Sequence, residues 1–173
     1  MWQPSGYRFV TGYIGGELKL SVKLQDKIIK LINARDTIKV LSTVDNKGIP
    51  HTVFKDFLEV DNDGNIIYLE LIESSATNNN MVNSIWFKKK VSITIRSKDN
   101  ESYQIKGIPV KAHISGQIFK RYYEFVKGNI EDGDLSTVWV IKPEELRNET
   151  YTYRKRQEEE KHPLLIHLDR LAK

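Results

Sequence analysis

The stretch Thr37-Ile-Lys-Val-Leu-Ser-Thr-Val-Asp-Asn-Lys-Gly48 decides the fold. β-Branched residues and Leu fill Thr37 to Val44 as in a strand, and Asp45-Asn-Lys-Gly48 then has the composition of a tight turn. Ile49 to Val60 reads as the returning strand. A second turn, Asp61-Asn-Asp-Gly-Asn65, leads into a third strand, Ile66-Ile-Tyr-Leu-Glu-Leu-Ile72. Three antiparallel strands in a meander follow from this spacing.

Working outward, the polar run Glu73-Ser-Ser-Ala-Thr-Asn-Asn-Asn-Met-Val-Asn-Ser84 leaves the third strand. Thr77 or Asn78 is the expected cap of a helix that buries Met81, Val82, Ile85 and Trp86 on one side. Val91 to Ser97 gives a fourth strand. Ser102 to Gly116 gives a long fifth, bent at Gly107-Ile-Pro109, and Ser136-Thr-Val-Trp-Val-Ile141 a sixth. Two more helices are expected. One opens at Ser21, carries Leu24, Ile28, Leu31 and Ile32 on one face, and ends near Ala34-Arg-Asp36; the other spans Gln117 to Lys127 with Phe119, Tyr122, Tyr123 and Val126 in a stripe. Six such strands avoid long exposed edges most economically by closing into an antiparallel barrel, a mainly β (α+β) fold with flanking helices.

The expected organisation is an N-terminal arm over residues 1–20, a barrel over 21–142 and a charged, helical extension over 143–173. In the extension, Pro163 opens an amphipathic turn through Leu164, Leu165, Leu168 and Leu171. The chain has 173 residues, 39% hydrophobic and 29% charged, enough for a single core. With no cysteine, the sequence excludes disulfides, thiolate nucleophiles, iron–sulfur clusters and Cys-based zinc sites. No apolar run reaches the roughly 20 residues of a membrane span. Met1-Trp-Gln-Pro-Ser-Gly also lacks the pattern of a signal peptide, so a soluble, cytoplasmic protein is expected.

The net charge of +4 is mildly basic, and Lys88-Lys-Lys90 and Arg154-Lys-Arg156 are the only tight cationic clusters. They lie far apart in sequence, and Glu158-Glu-Glu160 follows the second, so they read as solvated surface rather than as a nucleic-acid face. Gly12-Tyr-Ile-Gly-Gly has the wrong spacing for a phosphate-binding fingerprint, and there is neither a nucleophile elbow nor a P-loop. His51, His113, His162 and His167 form no helical zinc pair, so no metal site is expected. The clustered glutamates read as solvated faces, and Trp86 and Trp139 as packing residues.

The order Leu41-Ser-Thr-Val-Asp-Asn-Lys-Gly-Ile-Pro-His51, Asp63-Gly-Asn-Ile-Ile-Tyr-Leu69, Ser74 to Asn83, Lys90-Val-Ser-Ile-Thr-Ile95 and Tyr103-Gln-Ile-Lys-Gly107 resembles the FMN-binding split barrel of the pyridoxamine 5'-phosphate oxidase-like family. The resemblance covers residues of about 24 to 142. It implies a six-stranded split β-barrel, a homodimer, and FMN at the subunit interface with its phosphate near the third strand and the following helix.

Helix N-termini suit phosphate, and the resemblance places Ser74, Ser75 and Thr77 there as hydroxyl donors, with Asn78, Asn80 or Asn83 as amide donors. The family usually carries Lys or Arg in this loop; Thr77 stands near that place, a departure from the pattern. His51, Lys55 and Lys106 are candidate compensating cations, although strand alternation would send half of such side chains to solvent. Thr52 and Val53 would offer backbone groups to the isoalloxazine edge. Gln104 resembles a position reaching the cofactor from the neighbouring subunit, with a surface glutamine as the competing reading.

The strand-two Arg and Lys and the C-terminal Arg-x-His of the vitamin-forming oxidases are missing, which argues against a true pyridoxamine phosphate oxidase. The resemblance therefore implies an FMN-dependent oxidoreductase supplied by a nicotinamide or a protein donor, with no dedicated catalytic side chain required. The alternative is a non-enzymatic split barrel that stores flavin, carries electrons or binds a different ligand such as haem. A deazaflavin in place of FMN is also compatible with the pattern.

Overall fold

The computed structural model describes residues 9–12 and 19–163. Two short strands, β1 (Phe9–Gly12) and β2 (Lys19–Val22), form an antiparallel pair. The main sheet is built from β3 (Ile38–Val44), β4 (Pro50–Phe54), β5 (Leu58–Val60), β6 (Ile66–Glu70), β7 (Val91–Arg96), β8 (Ser102–His113) and β9 (Thr137–Asn148). Its spatial order is β4-β3-β7-β8-β9-β6-β5, antiparallel throughout and curled into a half-barrel. Four helices accompany it among the described residues: α1 (Asp26–Asn33), α2 (Ala76–Phe87), α3 (Gly116–Asn129) and α4 (Tyr151–Lys161).

The barrel sheet thus has seven strands where the sequence reading expects six. The extra one comes from the single strand expected over Ile49–Val60, which breaks at Lys55-Asp-Phe57 into β4 and β5. These halves sit at opposite ends of the sheet: β4 pairs with β3 and β5 with β6. At the break, the Lys55 N–H donates to the Lys39 carbonyl at 2.9 Å and the Leu69 N–H to the Phe57 carbonyl at 3.2 Å. Lys55 and Phe57, two residues apart in the crossover region, therefore bond to opposite ends of the sheet, and the chain itself joins those ends.

The two predicted turns use one device. Asp45 accepts the N–H groups of Lys47 and Ile49 at 2.8 Å each, and Asp61 those of Asp63 and Asn65 at 2.9 and 2.8 Å. Gly48 and Gly64 close them at φ +86° and +80°, where L side chains are strained.

The expected bend of the fifth strand lies in β8, whose pairing with β9 shifts register between Lys106 and Gly107 and again between Pro109 and Lys111. A Cβ on Gly107 would lie 2.6 Å from the Lys142 carbonyl oxygen, so the close approach of the strands there requires glycine. Pro143 sits opposite Gly107 at that irregularity, where no ladder N–H is needed. β9 consequently runs through it to Asn148, past the expected end at Ile141, and helix begins only at Tyr151.

Other boundaries and faces also differ from expectation. Ser21 pairs with Val10 in β2, so α1 starts at Asp26 rather than Ser21, though Leu24, Ile28 and Ile32 are buried as expected. In α2 the cap is Ser75, and of the four residues expected inside, Met81 is fully buried and Ile85 partly so. Val82 and Trp86 face outward, Trp86 at 77% exposure; the helix buries Thr77, Asn78, Asn80 and Ser84 instead. In α3, Tyr122 and Val126 are buried and Tyr123 is exposed. The expected turn through Leu164 to Leu171 and most of the expected N-terminal arm lie outside the described residues.

Two cores result. The inner face of the sheet, α1 and α2 enclose Ile28, Ile32, Leu41, Tyr68, Met81, Ile93, Ile105 and Trp139. On the other face of β6 and β9, Ile67, Leu69 and Val138 pack against Tyr122 and Val126 of α3. All five residues of β6 are therefore buried, and every second one, including Glu70, points inward.

Candidate functional site

Glu70 ends β6 with a carboxylate that is 2% exposed. A buried carboxylate needs compensation, and this one is surrounded by donors. The backbone N–H groups of Leu71 and Ile72 donate to Oε1 at 3.1 Å each. The Ser75 hydroxyl donates to Oε2 at 2.8 Å, and the Tyr68 phenol donates to the same oxygen. Lys55, at the β4–β5 break, places its ammonium 3.6 Å from Oε2 and 5.0 Å from the Tyr68 ring centre. Burial, and then the bond to Glu70, push the Tyr68 phenol far above its ordinary pKa.

This cluster joins two of the sequence-predicted residues, Lys55 and Ser75. Of the expected phosphate cradle, Ser75, Asn78 and Asn80 are engaged inside the fold. Ser75 accepts the Asn78 N–H at 3.0 Å as a helix cap. The Asn78 side chain donates to the Glu73 carbonyl at 2.9 Å and accepts from the Trp139 indole at 2.9 Å. Asn80 donates to Thr43 at 3.0 Å, and Thr77 is 2% exposed. Ser74 is exposed and Asn83 half-buried. No Lys or Arg occurs between Glu73 and Phe87.

The remaining predicted residues divide between two places. On β4, the Lys55–Lys39 bond fixes the alternation of the ladder: the backbones of His51 and Val53 turn toward β3, while those of Thr52 and Phe54 turn to the sheet's open edge. The Thr52 hydroxyl lies 3.0 Å from that of Ser42. Side chains alternate as well, so His51, Val53 and Lys55 share the face of Leu41 while Thr52 and Phe54 take the other. Phe54 is 76% exposed. On β8, by contrast, Gln104 is half-buried opposite Thr94 and Arg147, and the Lys106 ammonium lies 3.3 Å from Glu145. β3 and β7 separate this strand from β4 in the sheet.

A flat heterocycle with a hydrogen-bonding edge fits the outward backbone groups of Thr52 and Phe54, which have no partner among the described residues. A phosphate dianion at the α2 N-terminus would lie beside the Glu70 carboxylate and compete with it for the Ser75 hydroxyl. Glu70 itself escaped the sequence reading. Its signal was a lone acid in the apolar run Ile66–Ile72.

No family model matches this chain, and no curated protein matches it. Solved structures do. HupZ of Group A Streptococcus superposes with a TM-score of 0.62 at 20% identity, covering 74% of this chain and 95% of its own. An FMN-binding protein of Syntrophomonas wolfei gives 0.56 at 20% identity over 70% of this chain and 83% of its own. A Lactobacillus delbrueckii protein assigned to the pyridoxamine 5'-phosphate oxidases gives 0.55 at 19% identity over 72% and 93%. At these identities the likeness is one of fold, and it bears out the resemblance read from Leu41 to Gly107: the chain folds as a split β-barrel of the pyridoxamine 5'-phosphate oxidase-like kind.

Proposed function

We propose that this chain binds a flavin-class ring along the open edge of β4 and serves as a cofactor-dependent redox protein. The observation that carries this reading is the pair of backbone positions Thr52 and Phe54, unpaired among the described residues, on the outer strand of a fold shared with an FMN-binding protein. When bound, the ring supplies the hydride or electron transfer. The chain's own work is to hold the ring's polar edge with β4 backbone groups, to cover it with apolar side chains such as Phe54, and to exclude water.

The site is completed by a second copy of the chain. Phe54, Ile49, Val82, Trp86 and Phe87 are all exposed, with Trp86 and Phe87 at 77% and 70%. Lys89 donates to the Asp45 carbonyl at 3.0 Å, bringing the end of α2 to the turn that contains Ile49. So many large apolar side chains outside a core mark an association surface.

The Glu70 network also favours a second reading, a non-enzymatic barrel that carries flavin or another planar ligand. The test is to incubate the purified protein with FMN, remove the excess by gel filtration and record the visible spectrum. Retained flavin in a dimer at about one per chain supports the proposal, and bleaching by NADH then separates enzyme from carrier. Colourless protein would refute the proposal.

A further inference from the structure

Lys39 and Lys55 face each other across the β3–β4 ladder, joined by the 2.9 Å bond from the Lys55 N–H to the Lys39 carbonyl. Their side chains leave the sheet on the same face, an unfavourable arrangement for two ammonium groups. Lys55 is offset by Glu70 at 3.6 Å. Lys39 is only 6% exposed; among the described residues no hydrogen bond or ion pair reaches its ammonium, which opens to solvent at the hollow it lines. Burial holds its pKa below the ordinary lysine value; Asp56 and Asp36 oppose that shift only at a distance.

Lys39 lines a hollow of about 690 Å³ bounded by the end of α1, the β4–β5 crossover and α3. That volume lies within the roughly 300–1,000 Å³ of small-molecule sites. Its walls are of two kinds. Phe57, Leu58, Leu69 and Phe125 supply an apolar surface, and Arg35 adds a second cation beside Lys39. Of the two acids present, Glu59 is already engaged, accepting from the Tyr122 phenol with the Arg121 guanidinium at 3.6 Å, which leaves Asp56 against Arg35 and Lys39. None of the residues expected to hold the flavin lines this space.

We propose that this hollow is a second ligand site, which takes a small aromatic or apolar carboxylate with its anionic group on Lys39 and its body against Phe57 and Phe125. Two cations, Lys39 and Arg35, against the single unengaged acid Asp56 specify the charge, and the apolar walls specify the rest of the ligand. The site does not depend on flavin binding.

The full chain is titrated calorimetrically with 2-naphthoate and with its neutral twin, 2-naphthamide. The expected result is saturation by the acid at about one per chain, at least about tenfold tighter than the amide. Lys39→Met removes the difference and Lys39→Arg keeps it. A second measurement needs no variant: acetic anhydride labelling of wild-type protein, mapped by mass spectrometry, should show Lys39 protected by naphthoate. Failure of the acid to saturate, an acid no tighter than the amide, a Lys39→Met variant that retains the preference, or unprotected Lys39 would each overturn the proposal.

Discussion

Ser75 gives its hydroxyl proton to the buried Glu70 carboxylate at 2.8 Å and receives the Asn78 N–H at 3.0 Å. One side chain thereby caps α2 and satisfies an internal acid. Ser75→Ala loses both roles and should destabilise the protein by about 1–3 kcal/mol, read as a lower urea midpoint. Flavin affinity should stay within about threefold of wild type, because the hydroxyl is not free for a ligand. A large loss of affinity with unchanged stability would return Ser75 to the cofactor site.

Asn78 ties α2 to β9 through the Trp139 indole. Asn78→Leu leaves that buried N–H without a partner, at a cost of about 1–3 kcal/mol. The expected signs are a lower thermal midpoint and an altered near-ultraviolet circular dichroism signal; a variant matching wild type in both would show the bond to be dispensable.

Gly107 faces the Lys142 carbonyl too closely to accept a side chain. Gly107→Ala should force β8 and β9 apart and cost on the order of 1–3 kcal/mol, measured by urea unfolding. An unchanged midpoint would mean that the strands yield there freely.

Tyr68 and Tyr122 are held neutral, first by burial and then by their bonds to Glu70 and Glu59. Their folded pKa values are raised, so the stability they contribute is complete below the unfolded phenol pKa of about 10 and is lost as pH rises beyond it. In an absorbance titration at 295 nm, Tyr68 and Tyr122 should ionise only as the protein unfolds. Ionisation of all eight tyrosines while the near-ultraviolet signal stays native would contradict this.

Sequence signals were clearest where a residue does one job. Asp45 with Gly48 and Asp61 with Gly64 announce turns, and Gly107 with Pro109 announces the bend in β8. The break at Lys55-Asp-Phe57 carries neither glycine nor proline, so Ile49–Val60 reads as one strand although its halves pair with opposite ends of the sheet. The inner face of α2 was misread because Thr77, Asn78, Asn80 and Ser84 look like surface residues. They are buried, and Asn78, Asn80 and Ser84 find partners inside the fold. Hydroxyl- and amide-rich composition shows how many donors a segment has, and only tertiary structure shows that Glu70, Glu73, Thr43 and Trp139 already engage Ser75, Asn78 and Asn80.

The most direct test of the account is a comparison of FMN and riboflavin, each titrated against the purified protein by quenching of flavin fluorescence. If the ring is held along β4 and Glu70 occupies the anion position at α2, the two should bind with dissociation constants within about threefold of each other. FMN bound about a hundredfold tighter than riboflavin would show that the chain grips the phosphate after all.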